Sequence, residues 1–186
     1  MKARIPGREK RVDHATRKLI RDILQNIVYQ TLIEDFEFGP RGRNGKDGRL
    51  QRFHEGVQKR LQKYDLIYGD DTRPMIAAIR ERCIRNKIDY GSRLGSGGKV
   101  DLAIAHDVVM CIALLTIRED FKYGNTRTKR LIDGVDRRIR NYNNVFDGHP
   151  HDVLWVTRNR LEQYGVNLHR DDQLPAKQKV NAPESL

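Results

Sequence analysis

Very little in this chain could hold it together by covalent links or anchor it in a bilayer. Only two cysteines occur, Cys83 and Cys111, both inside apolar helical stretches. That excludes a disulfide scaffold and predicts reduced, buried thiols, as in a cytosolic protein. The longest apolar run, around Val108 to Ile117, is too short to span a membrane and is edged by His106, Asp107 and Arg118. The start, Met1-Lys2-Ala3-Arg4-Ile5-Pro6-Gly7, is basic and lacks the apolar stretch of a secretory signal. Period-two alternation is missing throughout, so strands are not expected. No Ser/His/Asp or Cys/His nucleophile motif is present. Lys99 after Gly97-Gly98 suggests a phosphate-binding loop, but Arg93 stands where its first glycine belongs and Val100 where Ser or Thr would follow. Acidic residues are also in deficit, 25 against 36 Lys and Arg, which leaves a net charge of +11. Such an excess favours a polyanionic partner or an acidic protein surface over a neutral small molecule, with solubility as the bland alternative.

What is present is a duplication. Thr31-Leu32-Ile33-Glu34-Asp35-Phe36-Glu37-Phe38-Gly39 returns as Thr116-Ile117-Arg118-Glu119-Asp120-Phe121-Lys122-Tyr123-Gly124, displaced by 85 positions. Upstream, Leu19, Ile23, Leu24 and Ile27 fall on Ile104, Val108, Val109 and Ile112 at the same offset. Downstream the copies realign at 78, so that Gly56-Val57, Lys59-Arg60-Leu61 and Tyr64 face Gly134-Val135, Arg137-Arg138-Ile139 and Tyr142. A unit of about 70 residues is marginal alone, so the two are expected to share a core.

Each copy reads as three helices. Leu19, Ile23, Leu24, Ile27 and Val28 give the first an apolar stripe. It is expected to start at an Asp13 cap and stop near Phe36, with Gly39 as its left-handed stop. A glycine-rich loop, Pro40 to Gly48, leads to a helix striped by Leu50, Phe53, Val57, Leu61 and Tyr64. Asp71 or Thr72 caps a third, carrying Ile76, Ile79, Cys83 and Ile84. In the second copy Asp101 is the expected cap of a helix, Leu102 to about Glu119, that is apolar on nearly all sides and is placed at the centre. Its successors carry Leu131, Val135, Ile139 and Tyr142, then, from about Asp152, Val153, Val156 and Leu161 facing Ile76, Ile79 and Ile84 at an offset of 77. Gly124 is the expected stop of the second copy's first helix.

The fold class is therefore all-α: two tandem, duplicated three-helix units packed about a pseudo-two-fold. The chain is expected to divide into a basic flexible arm (1–12), repeat 1 (13–89), a Gly/Ser linker (90–100), repeat 2 (101–168) and a disordered tail (169–186).

The repeated Glu34-Asp35 and Glu119-Asp120 suggest metal-holding carboxylates. Neighbours on a helix point about 100° apart, so the pairs suit local backbone bonding at the helix end better than one metal. Phe36, Phe38, Phe121 and Tyr123 could stack on bases, although aromatics beside a helix stop usually pack inward. His149-Pro150-His151-Asp152 is explained by a proline and a helix cap without metal. No metal or cofactor is expected. The strongest signal is cationic: Arg41, Arg43, Lys46, Arg49 and Arg52 around the first loop, and Arg127, Lys129 and Arg130 around the second. The following helices add Lys59, Arg60, Arg137 and Arg138. Glycine-spaced arginines expose guanidinium and backbone N–H groups together, which suits phosphate oxygens.

Asp120-Phe121-Lys122-Tyr123-Gly124, followed by Arg130-Leu131, resembles small helical proteins carried by phages and mobile elements of Gram-positive bacteria, over the two repeat cores. The resemblance implies a phage-encoded accessory protein of the bacterial cytoplasm and brings no catalytic residues. The reading that follows is a non-enzymatic nucleic-acid-binding protein that grips phosphates with duplicated basic loops. The alternative is a phage-encoded inhibitor that binds a host defence or transcription protein or ribonucleoprotein; a metal-dependent nuclease ranks third. The partner is nucleic acid or an acidic, nucleic-acid-containing host complex. No membrane is expected, and self-association stays open.

Overall fold

The computed structural model describes residues 14–39, 48–69, 72–90, 100–146 and 149–166. Arg41, Arg43, Lys46, the Asp13 and Asp71 caps, the arm, the tail and most of the linker lie outside them. Six helices account for nearly all of the described chain: α1 His14–Phe36, α2 Arg49–Tyr68, α3 Thr72–Arg85, α4 Val100–Glu119, α5 Asn125–Phe146 and α6 Pro150–Gln163. Among the described residues there is no strand. No described helix is long and apolar enough to cross a membrane.

Each helix forms where its apolar spacing gives it one face to bury. In α5 the buried set is Thr128, Leu131, Gly134, Val135 and Arg138, and in α2 it is Leu50, Phe53, Val57 and Tyr64. The uniformly apolar α4 is central, as expected: Met110, Ile112, Leu114, Leu115 and Ile117 have no exposed surface. Full burial of side chains of this size stabilises by about 1.5–3 kcal/mol each. A single cluster runs from Ile23 to Val166 and draws on all six helices. Both cysteines are buried in it, with Cys83 Sγ 3.9 Å from the Cys111 carbonyl.

The helices cross over between the halves of the chain. α1 packs on α4, α5 and α6, while α4 packs on α1, α2 and α3. The first helix of each half thus lies chiefly against the second and third helices of the other half.

Three sequence expectations need correction. The left-handed residues that stop α1 and α4 are Glu37 (φ 57) and Lys122 (φ 57), and neither Gly39 nor Gly124 has positive φ. Behind each, the chain folds back: Phe38 N–H donates to the Leu32 carbonyl (3.0 Å) and Tyr123 N–H to that of Ile117 (3.2 Å). This bond is one residue wider than the six-to-one Schellman closure, and the following ring, Phe38 or Tyr123, packs on the core. α3 and α6 end with the six-to-one Schellman bond itself, Ile88 N–H to the Cys83 carbonyl and Val166 N–H to that of Leu161, with Lys87 (φ 54) before buried Ile88 and Gly165 (φ 73) before buried Val166. Burial of the next hydrophobe outweighs the backbone cost at the three non-glycine stops.

The second correction is one of register. Ile84 is 73 % exposed, and the buried residues of α3 and its stop are Ile76, Ile79, Cys83 and Ile88. They match Leu154, Thr157, Leu161 and Val166, so the offset is 78, the same as for α2 and α5, and not 77. Third, α6 begins at Pro150 with His149 as its cap residue, two positions before Asp152, because proline is suited to the first turn. α4 likewise begins at Val100, which puts Asp101 inside the helix instead of at its cap.

The helix stops yield a stability prediction. Lys122→Gly relieves a left-handed side chain whose cost is roughly 1–2 kcal/mol, offset in part by the greater freedom of glycine in the unfolded chain. It should raise the unfolding free energy by about 0.5–1 kcal/mol in urea titration. A loss of stability would mean that Lys122 makes a contact that matters more than its backbone strain.

Candidate nucleic-acid interface

The helix ends that carry the acidic pairs are also where the halves meet. Arg138, from α5, is only 8 % exposed. One of its terminal nitrogens donates to Asp35 Oδ2 at 2.9 Å, and the other donates to Asp35 Oδ1 at 2.9 Å and Glu34 Oε2 at 2.8 Å. Arg60, from α2, does the same to the other pair, at 2.7 Å to each Asp120 oxygen and 2.8 Å to Glu119 Oε2. Both guanidinium groups also reach back to a glycine carbonyl one turn earlier, Gly134 at 3.3 Å and Gly56 at 3.0 Å. The acidic pairs are therefore structural, but they bond arginines from the other half of the chain and not the local backbone expected from sequence.

Glycine opens the space for this contact. A Cβ at Gly134 would stand 2.7 Å from Asp35 Oδ2 and 2.8 Å from Thr31 Cγ2. At Gly56 the distances are 2.5 Å to Asp120 Oδ2 and 2.9 Å to Thr116 Cγ2. Each threonine is fixed in turn, donating its hydroxyl to the carbonyl four residues back, Ile27 at 2.7 Å and Ile112 at 2.8 Å. Helix and helix end approach at contact distance because no side chain intervenes.

The third helices complete each cluster. Arg160 and the Tyr164 hydroxyl donate to Glu34 at 3.2 and 2.8 Å, while Arg82 and Asn86 donate to Glu119 at 2.7 and 3.2 Å. Burial by itself would raise the Glu34 carboxyl. The hydrogen bonds from Arg138, Gln30, Tyr164 and Arg160 outweigh it and hold the group at about 2. Asp35 lies below its usual range chiefly through the Arg138 hydrogen bond, against burial, and Glu119 lies low because Arg82 and Arg60 overcome its desolvation. Desolvation works against the charge on Arg60 and Arg138, but the paired carboxylates more than restore it and raise both. Both acidic pairs are thus engaged by cations. Among the described residues no group of three or more His, Cys, Asp or Glu is placed to hold a metal.

This arrangement divides the cations picked out from sequence. Arg60 and Arg138 turn inward and cannot serve as surface phosphate ligands, because the acidic pairs hold them. Arg49, Arg52, Lys59, Arg127, Lys129, Arg130 and Arg137 are exposed. Of these, Lys129, Arg130 and Arg137 line an open groove of about 930 Å³, together with Lys87 and the first-turn residues of α5, Asn125 and Thr126. Asp35, Asp89 and Asp133 also line it. Arg137 reaches Asp35 at 3.1 Å and Lys129 reaches Asp133 at 3.1 Å. Arg52 and Arg127 lie on aromatic rings instead: Arg52 over Phe121 at 5.8 Å and Arg127 over Tyr123 at 4.9 Å, while Arg130 also covers Phe36 at 5.1 Å. Lys87 was not among the sequence candidates. It lay in a basic run at the end of α3, and the segment that follows α3 brings it to the groove.

No protein-family model, curated protein or solved structure matches this chain.

Two outcomes follow from the acidic clusters. On an open helix, alanine is about 1 kcal/mol better than glycine. At position 134 the added methyl meets a locked carboxylate and a fixed threonine, so Gly134→Ala should lose roughly 1–3 kcal/mol in urea unfolding. A gain would mean the cluster gives way without cost. The second outcome is a pH dependence. Glu34 titrates at about 2 in the fold against 4.5 without the fold's influence, so its stabilisation is complete above 4.5 and disappears as pH falls through 2. Stability should decline over that window, and Glu34→Gln should decline less steeply; parallel curves would exclude the contribution.

Proposed function

We propose that the chain is a non-enzymatic nucleic-acid-binding accessory protein of phage type, acting in the bacterial cytoplasm and built from two copies of one three-helix unit related by a pseudo-two-fold. Support for the duplication comes from ion pairs that recur at corresponding positions: Arg138 on Glu34-Asp35 and Arg60 on Glu119-Asp120, each beside a glycine four residues earlier. The observation that carries the function is the groove along α5, lined by Lys129, Arg130, Arg137 and Lys87 together with the first turn of the helix. Guanidinium and ammonium groups next to free backbone N–H groups form a surface that binds phosphate oxygens without reading bases. The acidic pairs are bound internally, and the chain as a whole carries a net charge of +11.

The inhibitor reading draws on a different observation. Leu66 (88 % exposed) and Ile67 (56 %) at the end of α2, and Val145 (72 %) at the end of α5, present apolar surface that a protein partner would cover. The groove is the more developed surface, and nucleic acid remains the first choice.

Fluorescence anisotropy with a labelled duplex tests this reading. With about four to eight phosphates neutralised, log K should fall against log salt with a slope of roughly −3 to −7. Replacing Lys129, Arg130 and Arg137 together by Ala should flatten the slope by about one unit for each phosphate no longer neutralised. A slope near zero in both proteins would withdraw the reading and leave the net charge as a solubility feature.

A further inference from the structure

The rings near the helix stops join the two halves into one surface. Phe36, at the end of α1, lies 6.0 Å from Tyr123, and Tyr123 lies 6.4 Å from Phe121. Phe38 and Phe53 underlie them, both fully buried. On this plate sit three exposed arginines: Arg52 from the first half, over Phe121, and Arg127 and Arg130 from the second, over Tyr123 and Phe36. Arg127 and Arg130 are three apart on α5 and so share a helix face. Arg130 is fixed further by a 2.8 Å hydrogen bond to the Asp35 carbonyl at the end of α1.

A stacked guanidinium keeps its plane on the ring and its N–H donors at the edge, where they meet phosphate oxygens. The same stacking occupies the ring face. Proteins that bind single strands without sequence preference stack bases on open aromatic rings. On this plate the half-buried rings, Phe36, Phe121 and Tyr123, are covered by arginine, and Phe38 and Phe53 are inside the core. The chemistry on offer is phosphate binding without base stacking.

We infer that Arg52, Arg127 and Arg130 form a single docking face, spanning both halves, for the phosphodiester backbone of duplex nucleic acid. The inference rests on the nucleic-acid reading above and adds the class of ligand, the number of sites and the part played by α2. One chain binds one backbone segment, and sequence is not read.

The test compares one oligonucleotide as a duplex and as its single strand, by anisotropy, with stoichiometry from titration at high concentration. Duplex should bind about tenfold more tightly, following its higher charge density, at one site per chain. Non-specific affinities spread over the phosphates they usually neutralise give roughly fourfold per phosphate, so Arg52→Ala and Arg127→Ala should each weaken duplex binding by about that factor and flatten the salt slope by about 0.9. Arg52→Lys keeps the charge and should keep the slope, and thermal melts of all three variants check that they fold. Equal or tighter binding of the single strand would overturn the duplex assignment while leaving the nucleic-acid reading in place. So would a response to Arg127→Ala with none to Arg52→Ala, because the face would then not cross both halves. Binding of neither form would remove the nucleic-acid reading itself.

Discussion

An arginine from one half of the chain, enclosed by a carboxylate pair at the end of a helix from the other, governs the rest of this structure. Arg138 meets Glu34-Asp35 and Arg60 meets Glu119-Asp120, each with bidentate geometry at 2.7–2.9 Å to the aspartate. Planar guanidinium matches planar carboxylate in this way, and lysine could not supply it. Removing the carboxylates around Arg138, whose side chain is 10 % exposed, leaves a buried charge, and breaking a buried pair in this way costs about 3–5 kcal/mol. The contact also dictates its own neighbourhood. It requires glycine at 134 and 56, a short β-branched threonine at 31 and 116, and a helix that stops just after its aspartate. The non-glycine stops at Glu37 and Lys122 make sense in this light. They end α1 and α4 where the acidic pair faces the neighbouring helix, and the ring that follows is held by the core.

From these two clusters the crossover packing extends along the molecule. Arg80 on Asp107 at 2.7 Å and Arg158 on Asp22 at 3.7 Å tie the third helix of each half to the first helix of the other. Each half therefore lacks its own cluster partners, and neither could satisfy its acidic residues alone. That is consistent with the marginal size of a three-helix unit and with the single core drawn from six helices.

The same arrangement bears on function. Carboxylates that suggested a metal site from sequence are neutralised by arginines, and the two arginines that hold them are withdrawn from the surface. Of the cations that remain outside, Lys129, Arg130 and Arg137 line the groove along α5, and Arg52, Arg127 and Arg130 lie on the aromatic plate. There ring faces hold guanidinium groups in place, leaving little to be ordered when a phosphate arrives. The proposed binding surface is thus formed by what the interior does not use.

Helix number and position were legible because they depend on local periodicity. The stripes at Leu50, Phe53, Val57 and Tyr64, and the uniformly apolar α4, have one solution in water. The repeated phrases ending at Glu34-Asp35 and Glu119-Asp120 also marked the residues that matter. Their partners were not legible, since Arg60 and Arg138 look like any surface cation until α2 and α5 are docked. Nor were the stops at Glu37, Lys87 and Lys122, which depend on the burial of the hydrophobe that follows and not on the residue itself. The sequence by itself determined an all-α chain with its apolar faces and its charge excess. Tertiary structure alone decided which charges face inward, because pairing depends on distance and desolvation between helices far apart in the chain.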